Sequence, residues 1–312
     1  MMRPERLIVV TRETRLEELK QRFVTLEQAR FYLDRAGQDL GPLEDEHQRF
    51  DRALRAVRGA VPEDLPVQMV RRGMVSSFPF RDSDLVVTIG PDGLVANTVK
   101  YAVGIPIIAV NPDPDTIEGV LCRTEPGDFG HVLQRNLAGR ADQKAVTLAE
   151  AATSDGQKLL AVNDLFIGRK DHVSARYRIQ AEGRAEHHSS SGIVVSTGVG
   201  STGWMRSIVQ GAYRTASVWG ASVTIPASRQ ARMPWDADSL FYFVREPFPS
   251  VGLGTELTTG HIKAGSRLSV TSEMAQGGVI FSDGITEDAI AFHSGLSAHI
   301  TLSAQRGLIV EG

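Results

Sequence analysis

Only one cysteine, Cys122, stands in the 312 residues. No intrachain disulfide can therefore form, and no cysteine-based zinc site exists, which suits a reducing compartment. Long apolar runs are missing too. The opening stretch offers four consecutive apolar residues, Leu7 to Val10, where a secretory signal needs about 7–15 and a membrane span about 20. A cytoplasmic chain without a membrane partner is expected. Charge of one sign is not in excess either: the formal net charge is −3, so there is no basic footprint for nucleic acid. No G-x-x-x-x-G-K-[ST] phosphate loop and no G-x-S-x-G elbow occurs, which argues against a P-loop ATPase and a serine hydrolase. His187-His188 lacks a third ligand at zinc spacing and reads as part of a loop.

What is present is an ordinary globular composition, 42% apolar and 23% charged, long enough for two cores. Leu7–Val10, Leu65–Val70, Leu85–Ile89 and Ile105–Val110 are short apolar runs rich in β-branched residues. Between them lie helical patterns: Leu16, Leu19, Phe23 and Leu26 on one face, then Phe50, Leu54 and Val57, ended by Pro62. Strands alternating with helices predict a Rossmann-like α/β domain with a parallel sheet over residues 1–125. From Val173 to Ala181 the period becomes two, the mark of a half-buried antiparallel strand. Further strands are expected at Asp164–Ile167, Ile193–Ser196, Leu240–Arg245, Arg267–Thr271, Val279–Ser282 and Ala298–Leu302, with a helix over 205–218. That density predicts a β-rich, sandwich-like domain over 126–312, whose last strands could return to the first domain. Pro112, Pro114 and Pro126 place the linker near 112–130.

Three loops carry candidate chemistry. Gly90-Pro91-Asp92-Gly93 directly follows the strand ending at Ile89. Ligands of open α/β sheets sit at the carboxyl ends of strands, and a glycine-rich turn entering a helix offers N–H groups to phosphate. An aspartate there can accept a proton from an attacking hydroxyl. The alternative is a plain Pro-Asp-Gly turn. The second loop is Thr197-Gly198-Val199-Gly200-Ser201-Thr202-Gly203-Trp204. It has G-x-G-x-x-G spacing, yet no acidic residue lies between Trp204 and Pro234, so it is not a dinucleotide-fold fingerprint. It reads as a binding loop in which two hydroxyls and an indole converge on a base or ribose, or as a tight turn that needs glycine. The third, Asn163-Asp164, can hold a ribose diol or simply make a turn. Asp283-Gly284 reads first as a hairpin turn.

In this order and spacing the three loops resemble those of the NAD kinase family: a Gly-Gly-Asp-Gly loop in an α/β domain, an Asn-Glu pair, then a Thr-Gly-Ser-Thr-Ala-Tyr-like loop in a β domain. The segments Val110-Asn111-Pro112-Asp113-Pro114, Glu118-Gly119-Val120-Leu121-Cys122, Ser190-Ser191-Gly192 and Val244-Arg245-Glu246-Pro247 look most like the mitochondrial-type branch. The resemblance implies an NAD kinase-like fold and phosphorylation of NAD to NADP at the adenosine 2′-hydroxyl. Asp92 would be the general base and Gly90 and Gly93 would meet the donor phosphates. Gly93, Asn163, Asp164, Thr202, Gly203, Trp204 and Ser207 would bind NAD. It further implies ATP, or polyphosphate, as donor with Mg²⁺, and a homodimer; no residue set is singled out as a metal site.

Three departures stand out, the first two of them on the donor side. Pro91 replaces a glycine and has no N–H to offer; Leu94 stands where a threonine is usual; and Asp164 is a methylene shorter than Glu, about 1 Å or more in reach. Two other readings stand beside this one: a sensor or scaffold that binds the dinucleotide without turnover, with donor docking disabled by Pro91, and a kinase of another hydroxylated acceptor such as a lipid or sugar, since related Gly-Gly-Asp-Gly loops serve those families too.

Overall fold

The computed structural model describes residues 3–222 and 232–311. They divide into two compact units, one running up to Lys144 and resumed from Leu308, the other spanning Ala145–Gly307.

The first unit opens with β1 (Arg6–Thr11), α1 (Arg15–Arg22), α2 (Leu26–Arg35) and α3 (Gly41–Ala60). It continues with β2 (Val67–Arg71), β3 (Asp84–Ile89), α4 (Asp92–Val99), β4 (Pro106–Val110) and α5 (Phe129–Leu137). The four strands are parallel in the order β2-β1-β3-β4. Every residue of β3 is buried, as a strand covered on both faces requires. Leu7, Val9, Leu85 and Val87 pack with Phe50 and Val57 of α3 and Phe129 and Leu133 of α5. The anticipated apolar stripe from Leu16 to Leu26 is not one helix. Phe23 is extended (φ −115°, ψ 139°) and Thr25 starts α2 by accepting from Gln28 N. A capping threonine overrides a periodicity that sequence spacing alone cannot interrupt.

The second unit carries β5 (Gln143–Thr153), β6 (Lys158–Ala161), β7 (Asp164–Arg169), β8 (Ala175–Ala181), β9 (Arg184–Ser190) and β10 (Ile193–Ser196), then α6 (Trp204–Val218). Strands β11 (Ser239–Val244), β12 (Thr259–Lys263), β13 (Leu268–Ser272), β14 (Gly278–Ser282), β15 (Ile285–Ala291) and β16 (Ser297–Val310) complete it. One antiparallel sheet runs β12-β11-β10-β7-β14-β15. The other contains β16-β13-β8-β9, with β5 also on β16. Inward residues of both sheets, among them Ile167, Val195 and Tyr242 facing Tyr177, Ile179 and Val270, form one core, the sandwich arrangement. β8 alternates buried and exposed without a break. The end of β16 leaves this core: Leu308 and Ile309 pair in parallel with Pro106 and Ile107 of β4.

Two expectations need correction. Residues 112–130 are not a linker. Asn111 N donates to Thr124 O and Asn111 Nδ2 to Ile117 O, while Leu121 and Cys122 are buried. The prolines mark irregular backbone inside the first unit, and α5 follows them there, so the division falls near residue 145 rather than 125. His187-His188 is not a loop but part of β9; His188 is buried against the Tyr177 ring, with Nε2 on Glu186. Polar side chains hid a strand whose last three residues point into buried surroundings.

Candidate functional site

Gly90 leaves β3 with its N–H on Val110 O, and Pro91 becomes the residue before α4. No side chain caps that helix. Leu94 N in its first turn donates to Pro91 O (2.9 Å), and the amides of Asp92 and Gly93 before it form the usual anion-facing end. Asp92 is the first helical residue, and its carboxylate is held from outside. Oδ1 accepts from Leu121 N (2.7 Å) and Cys122 N (3.0 Å), and Oδ2 from Val120 N (2.9 Å). The Cys122 thiol lies 3.3 Å from Oδ1. Burial, with the Asp92 charge beside it, pushes that thiol well above its ordinary range, so it stays protonated and unreactive. Of the roughly four lone-pair positions on a carboxylate, the open one lies on Oδ2. Gly93 is exposed, and a Cβ there would meet nothing within 4 Å.

The carboxyl ends of β1, β3 and β4 also border a cavity of about 290 Å³. Arg12, Arg15, Arg49, Glu46, Asp113 and the Gly90-Pro91 turn line it. Arg12 closes the opening Val9-Val10-Thr11-Arg12 that resembles the family, but the sequence assigns no role to any of these arginines. They come from separate segments whose convergence only the fold creates.

In the second unit, Asn163-Asp164 enters β7 on a built support. Asp283, in the β14–β15 hairpin turn at φ +54°, accepts from Asn163 N (2.7 Å), Asp164 N (3.2 Å) and Val162 N (3.0 Å). Asp283 N returns a bond to Asp164 O. Asp283-Gly284 is thus the hairpin turn expected, but its carboxylate does a second job that the turn pattern did not reveal. Asp164 Oδ1 accepts from the Ser196 hydroxyl. Burial, opposed by that hydroxyl and aided by the Asp283 charge, pushes the Asp164 carboxyl up to about 7.

The loop after β10 is folded onto the same turn. Thr197 N donates to Asn163 O, and its hydroxyl to Val162 O. A Cβ on Gly200 would come within 2.2 Å of Asn163 O, and one on Gly198 within 1.7 Å of Pro234 O. Only glycine permits these approaches. The Ser201 hydroxyl is fully buried and is engaged by Gly198 O and Met233 N. The expected convergence of two hydroxyls on a ligand is therefore corrected to one: Thr202, half-buried, with its hydroxyl on Val199 O. Gly203 is exposed and starts α6. Trp204 stacks on Phe166 (5.8 Å, 14°), which in turn stacks on Phe281, and the Arg245 guanidinium lies 5.7 Å from the indole centre. Ser207 is exposed one turn along α6, its hydroxyl 3.4 Å from Gly203 O. Asn163, Asp164, Thr202, Gly203, Trp204 and Ser207 thus share one neighbourhood of the second unit, while Gly90, Asp92 and Gly93 share another in the first.

No family model matches the chain. A NAD kinase of Heliobacterium modesticaldum is 30% identical over 159 residues, covering 46% of this chain and 54% of its own length. The mitochondrial NAD kinase 2 of Rattus norvegicus is 27% identical over 256 residues, 65% of this chain and 60% of its own. The human counterpart is 26% identical over 256 residues. The chain thus spans only about half to three-fifths of the curated relatives it matches. Among solved structures, yeast NADH kinase complexed with NADH superposes at TM-score 0.60 with 13% identity, covering 99% of this chain and 84% of its own. An NAD kinase from Archaeoglobus fulgidus in complex with ATP gives 0.53 with 14% identity, covering 98% and 93%. The resemblance drawn from the three loops is borne out, and so is the NAD kinase-like fold.

Proposed function

We propose that this chain, a relative of the NAD kinases that shares their fold, transfers the terminal phosphoryl group of ATP to the adenosine 2′-hydroxyl of NAD, giving NADP. The observation that carries this reading is Asp92, a carboxylate at a strand end, oriented by three amides and retaining an open position on Oδ2. As the hydroxyl oxygen bonds to the γ-phosphorus, the bond to the β–γ bridging oxygen breaks, ADP leaves, and the hydroxyl proton passes to Asp92. Asn163, Asp164, Thr202, Gly203, Trp204 and Ser207 hold the dinucleotide. Phosphoryl transfer asks little covalent chemistry of a protein and much positioning, which suits residues pinned by backbone hydrogen bonds.

Among the described residues no group of three or more His, Cys, Asp or Glu is arranged for a metal ion. The Mg²⁺ that the resemblance implies would come with the donor phosphates. When bound there it offsets the charge of the phosphate oxygens. The same reading carries a homodimer in the cytoplasm, without nucleic acid or membrane partners; no helix among the described residues is long and apolar enough to cross a membrane.

A coupled NADP-formation assay on Asp92→Asn tests it. Turnover falls by about 10²–10⁴-fold, the contribution of a general base, while NAD affinity moves less than about threefold. Undiminished turnover removes Asp92 from the role. One observation favours a second reading, a sensor that binds NAD without turnover: Pro91 takes an N–H from the donor loop, and Asp92 already bonds three amides of the 120–122 segment. A silent parent that gains activity as Pro91→Gly decides for the sensor.

A further inference from the structure

The strand order β2-β1-β3-β4 reverses direction between β1 and β3, because the chain goes from β1 to one side and returns to the other. Open α/β sheets bind ligands at the carboxyl end of such a reversal. The 290 Å³ cavity sits there, since Arg12 follows β1, Gly90-Pro91 follows β3, and Asp113 lies just past β4. Three guanidiniums face two carboxylates in its wall. Glu46 bridges Arg12 (3.1 Å) and Arg15 (2.5 Å), and Arg49 Nε lies 2.9 Å from Asp113 Oδ2. That leaves one net positive charge. Two wall atoms are buried without a hydrogen-bond partner: Arg49 Nε, whose contact with Asp113 lacks hydrogen-bond geometry, and Asp113 Oδ1, on a side chain 7% exposed.

The geometry points to this cavity as the seat of the donor's phosphate chain, held by Arg12, Arg15 and Arg49. It rests on the reading above that the chain transfers phosphoryl groups. Guanidinium forks match phosphate oxygens in pairs. The volume lies at the small end of ligand pockets, which run from about 300 Å³, so it suits a phosphate chain better than a whole nucleotide. A polyphosphate with its Mg²⁺ brings both signs of charge, which answers the orphaned Asp113 oxygen as well as the arginines. The guanidiniums also supply the anion contacts that Pro91 cannot make.

Calorimetry on the full chain tests this, with magnesium tripolyphosphate, MgATP, orthophosphate and NAD titrated separately into wild type, Arg12→Gln, Arg15→Gln and Arg49→Lys. Arg15 is the most exposed of the three and its variant is safe for folding; Arg49→Lys keeps the charge while removing the fork. Each loss of a guanidinium weakens tripolyphosphate and ATP by about 10-fold, as expected for a charge-assisted hydrogen bond. NAD affinity stays within about twofold, and orthophosphate binds at least about 10-fold more weakly than tripolyphosphate. Tripolyphosphate affinity unchanged in the Arg12 and Arg15 variants, orthophosphate binding as tight as tripolyphosphate, or an NAD affinity that falls instead, overturns the assignment. The two readings fail separately. A protein that binds tripolyphosphate through these arginines yet forms no NADP loses the kinase function and keeps the site. One that forms NADP with an ATP KM indifferent to all three variants keeps the function and loses the site.

Discussion

The two loop neighbourhoods are built on opposite principles. In the second unit the candidate residues are fixed by close packing: Gly198 and Gly200 touch backbone that leaves no room for a Cβ, and Asp283 gathers three successive amides under Asn163-Asp164. In the first unit the loop is sterically open. Gly93 faces empty space, and a Cβ on Gly90 would meet only the flexible end of Leu94. What holds that neighbourhood is electrostatic, one carboxylate on three amides and a ring of arginines on two acids. The packed region departs from the family pattern at Asp164, and the open one at Pro91 and Leu94.

The sharpest break of this contrast compares one added methyl group in each loop. Gly200→Ala forces Asn163 O to move and destabilises the protein by about 2–3 kcal/mol, the scale of an overpacked interior, with loss of NAD binding. Gly93→Ala costs less than about 1 kcal/mol. Thermal denaturation of the pair reads both, and equal shifts would remove the distinction.

A second test reads the Asp164 site by pH. Its folded carboxyl titrates near 7 against an ordinary value of 3.8, so between these the folded state binds the extra proton. Stability therefore declines as pH rises from about 4 to 7, by at most roughly 4 kcal/mol for a shift of this size. Asp164→Asn flattens that slope in denaturant titrations across the window; a slope unchanged in the variant assigns it to other groups.

Smallest is the expected change on Asp283→Asn. The amide keeps one acceptor oxygen, so Asn163 and Asp164 stay near their places while the turn loosens. The KM for NAD rises about 3–10-fold, the weight of one ordinary hydrogen bond, with kcat little altered. A drop in kcat alone would mean that Asp283 acts on chemistry rather than on positioning.

Much of this architecture was legible because it depends on local pattern. β8 was readable from alternation and β10 from an apolar run, and α6 falls where a helix was expected over 205–218, each within a residue or two. The strand β9 was not, since Glu186, His187 and His188 disguise it. The sites divide the same way. Asp92, Asn163 and Trp204 stand in motifs and could be named. The cradle of Asp92 could not, because backbone amides 28–30 residues away carry no sequence mark. Asp283 reaches across about 120 residues, and the arginines of the cavity come from β1's end, α1 and α3. Distant partners are set by topology, which pattern does not encode.

The last strand has a consequence for how the molecule is made. β16 begins in the sandwich core, and its final turn of sequence, Leu308 to Val310, supplies the neighbour of β4 and a side chain to the α/β core. On the ribosome, where domains generally fold as they emerge, the first unit must wait with one edge unsealed until the whole sandwich has been translated. The first unit is therefore completed only after the second has been made.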